Sequence, residues 1–258
     1  MSQTSYALVT GASSGIGECF ARALAGRGHN LVLVARTKSK LEALAEEFRK
    51  QHSVPAEPVE IDLSASGAAE RLVRILEERR IVIDLLVNNA GFGARGKFWE
   101  LPLDRQAQMI RLNLGALVEL THLLLPAMAA QRRGAIINVS STAGFQPVPY
   151  TSAYAASKAF VTSFSEGLAQ ELRGSGIVVV TLCPGGTRTN FFAASQYGRP
   201  KLPGGMQRPE EVVEAALRSL DRGGGLVVPG LMNKLALASQ RLLPRRVVAR
   251  VTARLFRP

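Results

Sequence analysis

Cysteine is scarce: the 258 residues hold two, Cys19 and Cys183. Two thiols without metal-ligand spacing exclude a disulfide framework. Histidine is as thin, with His29, His52 and His122 scattered along the chain, and all three are read as structural, so no metal site is expected. A long uninterrupted apolar run is also missing, because the longest helix-like one, Leu112 to Ala130, is broken by Glu119 and His122 and contains Pro126. It reads as a buried helix rather than a membrane span. The start, Met1-Ser2-Gln3, has no basic leader or cleavage site before an apolar strand, so the expected address is the cytoplasm. Acidic residues are absent from Arg222 onward, where eight basic residues fall; the net charge of +12 is therefore mostly a property of the tail.

What is present is a globular composition, 47% hydrophobic and 20% charged, which excludes disorder. Short Val, Ile and Leu runs alternate with longer helical patterns, the mark of βαβ units and a parallel sheet buried on both faces. The runs are Tyr6–Thr10, Asn30–Ala35, Ala56–Asp62, Ile83–Asn88, Gly134–Ser140, Ile177–Cys183 and Leu226–Val228. Helical patterns fill Ile16–Arg27, Lys40–Gln51, Ala68–Arg79, Leu103–Ala130, Ala153–Arg173 and Pro209–Leu220. Nothing interrupts the alternation, so the expected fold is α/β, one doubly wound Rossmann-type domain over residues 1–258 with a seven-stranded parallel sheet. The irregular stretch 186–207, with Phe191 and Phe192, is expected to be a substrate lid, since it follows a strand end at the binding edge of such a sheet.

Three local patterns carry chemistry. The first strand runs into Gly11-Ala12-Ser13-Ser14-Gly15-Ile16-Gly17 and then a helix, a turn in which backbone N–H groups approach a pyrophosphate. After the second strand stands Arg36, then Thr37 and Lys38, with no acid before Glu42. An acid there would bind a ribose 2′-hydroxyl and a base accepts a 2′-phosphate, so NADP(H) is favoured and NAD(H) is the lesser option. Tyr154 and Lys158 stand one helical turn apart, where a cation can stabilise a phenolate that ordinarily forms only near pH 10.

Together with Asp62, Asn88-Asn89-Ala90-Gly91, Asn113 and Ser141, these motifs fall in the order found in the short-chain dehydrogenase/reductase family, which the chain resembles from residue 6 to about 190. The resemblance implies a catalytic set of Asn113, Ser141, Tyr154 and Lys158. Ser141, rather than Ser140, precedes the tyrosine by the family's spacing. It also implies that Asp62 contacts an adenine, that Asn89 and Ala90 line its ribose, and that Lys158 holds the nicotinamide ribose. Pro184, Gly185, Thr187 and Thr189 would flank the nicotinamide and phosphates. Phe92, Phe145, Phe191 and Phe192 are the candidate substrate contacts, while Phe98 and Trp99 are read as packing.

The implied activity is an NADPH-dependent reductase of an apolar ketone or 3-oxoacyl compound, acting as a homodimer or homotetramer. Two rivals stand beside it: an NAD-dependent alcohol or hydroxysteroid dehydrogenase, and a non-catalytic nucleotide-binding protein at a membrane. The basic extension, about 231–258, reads as a cationic amphipathic helix with Arg246, Arg250, Arg254 and Arg257 on one face and Val247, Val248, Val251 and Leu255 on another. Packing over the pocket or a subunit partner is its favoured role, followed by membrane-surface contact. The third reading is a docking face for an acidic carrier or nucleic acid; no nucleic-acid motif accompanies the charge, so nucleic acid comes last.

Overall fold

The computed structural model describes residues 5–189, 191, 205–240 and 242–257. Strands β1 (Ser5–Thr10), β2 (Asn30–Ala35), β3 (Ala56–Glu60), β4 (Val82–Asn88), β5 (Gly134–Val139), β6 (Ile177–Leu182) and β7 (Gly225–Val227) form one sheet in the order β3-β2-β1-β4-β5-β6-β7. Every neighbouring pair is parallel. The seven expected strands are therefore present. β3 stops at Glu60, which leaves Asp62 beyond the strand end.

The apolar runs form strands because both faces are covered. In β2, Leu31 and Leu33 enter a core that also holds Phe20 and Leu24 of α1 (Gly15–Gly26), Phe48 of α2 (Lys38–His52) and Val212 of α7 (Pro209–Asp221). Their neighbours Val32 and Val34 enter the opposite core, with Leu72 of α3 (Ala68–Glu78), Leu120 of α5 (Leu117–Gln131) and Leu168 of α6 (Ser152–Glu171). The two-residue period of one strand thus feeds two cores.

The run expected to be one helix from Leu103 is α4 (Leu103–Ile110) joined to α5 through a π-helical turn, Arg111–Ala116. By length and composition the 103–131 stretch suffices to cross a membrane, but Leu120, Leu124 and Met128 are spent on the core beside the sheet.

The basic extension holds two helices, α8 (Leu231–Gln240) and α9 (Arg245–Phe256). The inner face of α9 is narrower than the sequence pattern suggested. Val248 and Thr252 are buried, while Val247 and Val251 are exposed. The cause is a polar attachment: Thr252 Oγ1 donates to the Pro147 carbonyl (2.9 Å), and Arg95 donates to the last carbonyls of the helix, Phe256 O (2.9 Å) and Arg257 O (2.6 Å). A guanidinium at a helix C-terminus also meets the negative end of its dipole.

Candidate active site

The strand order reverses between β1 and β4, so their carboxyl ends open the crevice in which such sheets bind ligands. The two ends are stitched together. Thr10 Oγ1 donates to Val87 O (3.1 Å) and accepts the N–H groups of Asn89 and Ala90 (2.9 Å each). The Asn89 amide donates to Thr10 O at 2.9 Å and to Gly11 O at 3.5 Å, bracing the turn that follows β1. Within that turn Gly11 and Gly15 have φ of 68° and 60°. A methyl group on Gly17 would lie 2.2 Å from Gly11 O. Only glycine permits this close approach of strand, turn and helix.

Ser14 precedes α1 in an extended conformation and makes no side-chain capping bond, so Ser13, Ser14, Gly15 and Ile16 frame a helix N-terminus whose N–H groups no side-chain cap meets. Thr189 lies across it: a Cβ on Gly15 would sit 3.1 Å from Thr189 Cγ2. Arg36 is exposed just past β2. Asp62 accepts the Ser64 N–H (2.9 Å) and hydroxyl (2.6 Å). Burial would raise its carboxyl pKa, but these bonds and the Arg36 charge outweigh burial and hold it below the ordinary carboxylate range. A backbone cradle that a Cβ would fill, an uncapped helix start and a base beyond β2 fit a phosphorylated dinucleotide.

Tyr154 and Lys158 open α6 on one face, and the Lys158 Nζ lies 5.9 Å from the Tyr154 ring centroid. Burial pushes the phenol up to about 12 against the lowering effect of its hydrogen bond with Ser141, and pulls the amine down to about 8. Lys158 Nζ donates to Val139 O at 2.8 Å, which fixes the amine under the end of β5. Ser141 heads a 3₁₀ turn, Thr142–Phe145; its Oγ accepts the Ala143 N–H (3.1 Å) and donates to Pro184 O (3.4 Å). Ser140 turns away and donates to Lys158 O at 2.7 Å, a structural bond within the core. The geometry places Ser141, and not Ser140, beside the tyrosine.

Asn113, 2% exposed, sits in the π-helical turn. Its Oδ1 accepts the Phe92 N–H and its Nδ2 donates to Phe92 O and Ser157 Oγ, all at 3.1 Å. The extra residue of a π turn re-aims this one side chain at the loop after β4. Between Asn113, Lys158, Thr10 and Asn88 lies a cavity of about 10 Å³, large enough for about one water.

On the substrate side the Phe191 ring packs on Tyr154, centroids 5.4 Å apart, and a Cβ on Gly93 would meet Phe191 Cζ at 3.1 Å. Phe92 lies under the Arg105 guanidinium, 4.9 Å from its ring, and Phe145 is half-buried in the 3₁₀ turn. Phe192 and most of the expected lid, 192–204, lie outside the described residues. The sequence reading missed Asn233. This α8 residue donates to Gln207 Oε1 (2.9 Å) and Pro229 O (2.8 Å) and lies where a Cβ on Gly185 would be 2.5 Å from it. Gln207 in turn bridges Thr187, so the Pro184–Thr189 loop is tied to the basic extension. Ser157, Asn138 and Ser165 were missed as well, the last two bonded in a buried chain that starts at Asn88. For Asn138 the signal was a polar residue near the end of an apolar strand, whereas Ser157 and Ser165 lie within α6.

A doubly wound sheet with this glycine turn and a Tyr-Lys pair, its lysine buried, beside a serine defines an oxidoreductase of the nicotinamide-dependent class. Residues 5–199 match the family model for short chain dehydrogenases, and the chain belongs to that family. It is 35% identical over 217 residues to the very-long-chain 3-oxoacyl-CoA reductase of Anas platyrhynchos, covering 82% of this chain and 67% of that protein. A short-chain dehydrogenase from Sphingobium yanoikuyae solved with NADPH superposes with a TM-score of 0.81 at 37% identity, over 92% of this chain and 94% of that one. The structure of a 7β-hydroxysteroid dehydrogenase superposes with a TM-score of 0.85 at 30% identity, over 96% of each chain. The protein is an oxidoreductase acting on the CH–OH/C=O pair.

Proposed function

We propose that this enzyme is an NADPH-preferring carbonyl reductase, with Tyr154 as proton donor, Ser141 as holder of the substrate oxygen and Lys158 and Asn113 as their support. The observation that carries it is the convergence of half-buried Ser141 and Tyr154 with buried Lys158 at the β5 and α6 ends. When bound, the nicotinamide supplies the hydride. Tyr154, its phenol pushed up to about 12 by burial, donates its proton to the oxygen that becomes the alcohol. Ser141 donates a hydrogen bond to that oxygen, and the Lys158 ammonium steadies the phenolate left behind. Asn113 holds the Phe92 backbone and faces the water-sized cavity beside Lys158, through which the proton is restored. Oxidation of an alcohol is the same sequence reversed.

Gly11, Ser13, Ser14, Gly15, Ile16 and Gly17 are proposed to take the pyrophosphate, Asp62, Asn89 and Ala90 the adenosine, and Pro184, Gly185, Thr187 and Thr189 the nicotinamide side. Arg36, with no acid between it and Glu42 to take the ribose hydroxyl at the end of β2, selects the 2′-phosphate. The NADPH-bound relative at 37% identity supports this choice. The Phe191 ring against Tyr154 and Gly93 makes one wall of the pocket apolar, which suits a bulky ketone or a 3-oxoacyl chain. The names of two relatives, a very-long-chain 3-oxoacyl-CoA reductase and a 7β-hydroxysteroid dehydrogenase, carry substrates of this bulky apolar kind. A cytoplasmic address is proposed with it, supported by two free cysteines.

A panel of ketones and 3-oxoacyl thioesters of increasing chain length, assayed with NADPH and with NADH, tests the reading. Arg36→Ala should raise the KM for NADPH at least about tenfold, the loss of about one charge-assisted contact, and leave that for NADH unchanged. A wild-type preference for NADH would transfer the enzyme to the NAD-dependent alcohol or hydroxysteroid dehydrogenases.

A further inference from the structure

The outer faces of α8 and α9 form a surface that the proposed reduction does not use. No residue of α8 is buried. Leu231 and Met232 are 70% and 60% exposed, Leu242 between the helices 86%, and Leu235, Val247 and Val251 also face outward. Monomeric soluble proteins rarely leave such a concentration of large apolar side chains uncovered, and those that do use it for contact. Lys234, Arg246 and Arg250 are exposed on the same two helices. On α9, with Val248 and Thr252 turned inward, helical spacing puts Arg246, Arg250 and Arg254 on a ridge beside the strip of Val247 and Val251. The chain offers no acid after Asp221 to pair with them.

Charge decides what covers this surface. A two-fold contact with a second copy would set the same cations against themselves, because an isologous interface repeats one patch on both sides. A sheet of anionic headgroups over hydrocarbon complements it: apolar side chains enter the interface, and arginines and lysine keep their heads at the phosphates. The surface also adjoins the site, since Thr252 is bonded to Pro147 and Arg95, from the loop after β4, caps α9. We propose that α8 and α9 dock the enzyme peripherally on an anionic lipid bilayer, with the rim of the substrate pocket turned toward the membrane surface. The docking does not depend on which carbonyl is reduced.

The test is co-sedimentation of the full-length protein with vesicles of phosphatidylcholine alone and of phosphatidylcholine mixed with phosphatidylglycerol. Reduction of a water-soluble ketone in buffer serves as the folding control. The wild type should partition at least about tenfold more strongly onto the anionic vesicles, and about 0.5 M salt should weaken that binding. Met232→Ser with Leu242→Ser, and separately Arg246→Glu with Arg250→Glu, should each lower anionic binding by about tenfold or more while leaving soluble-ketone turnover unchanged. Three outcomes overturn the proposal. One is wild-type protein left in the supernatant with both vesicles; another is pelleting insensitive to lipid charge and salt, a comparison that holds even if a variant fails to fold. The third is a pair of folded variants that pellet normally but turn a stable dimer into a monomer by light scattering, which would assign the patch to a second copy. Absence of ketone reduction throughout would sink the catalytic reading and leave the docking result standing.

Discussion

Tyr154 and Lys158 are set against their usual chemistry by burial, which pushes the phenol up to about 12 and pulls the amine down to about 8. Replacing Tyr154 with Phe removes the donated proton and keeps the ring that Phe191 packs on. Turnover should fall by about 10²–10⁴-fold while NADPH binding, followed by fluorescence titration, is preserved. The same shifts make stability depend on pH in two opposite ways. Between about 8 and 10.5 the unfolded chain keeps a proton on Lys158 that the folded protein has released, so stability rises with pH there and is lowest, for this group, below 8. Between about 10 and 12 the folded protein keeps the Tyr154 proton that the unfolded chain has released, so that group makes stability fall. Urea unfolding should therefore show a gain on the order of 2 kcal/mol from pH 8 to 10, followed by a decline. Lys158→Met should flatten the first limb and Tyr154→Phe the second.

The π-helical turn between α4 and α5 is the element that turns a helix residue into part of the site. Without its extra residue Asn113 would not face the Phe92 backbone, which it holds from both sides at 3.1 Å. Asn113→Ala leaves the part-buried N–H and C=O of Phe92 without that partner, so it should cost about 1 kcal/mol or more of stability in denaturant titrations. A role in the proton path adds a second expectation: kcat should fall more than the affinity for NADPH, which a merely structural residue would not require. At this scale the sequence was informative about existence and poor about interruptions. The period of the apolar residues gave every strand and the long helix, but one residue added to one turn leaves that period nearly unaltered, so the π turn left no trace in it.

Across the whole molecule the inner contacts of the basic extension, at Asn233, Thr252 and the end of α9, fasten it to the rim of the site. Asn233 reaches the loop that begins at Pro184, and α9 is fastened to Pro147 and Arg95. Removing residues 232–258 should lower the midpoint of thermal unfolding by about 5 °C or more and weaken NADPH binding, measured on the same truncated protein; a truncation that left both unchanged would return the extension to the status of a loose tail. The sequence by itself determined the parallel α/β sheet and the identities at Gly11 to Gly17, Arg36, Ser141, Tyr154 and Lys158. Apolar period, glycine spacing and helical offset are local properties that a chain carries whether or not it is folded. Only the tertiary structure decided that Asn89 braces the glycine turn, that Asn113 looks at Phe92, that Asn233 locks the far loop and that Val247 and Val251 face outward. Each of these depends on which backbone group, distant in sequence, arrives within hydrogen-bond or packing reach, and no local pattern records that arrival.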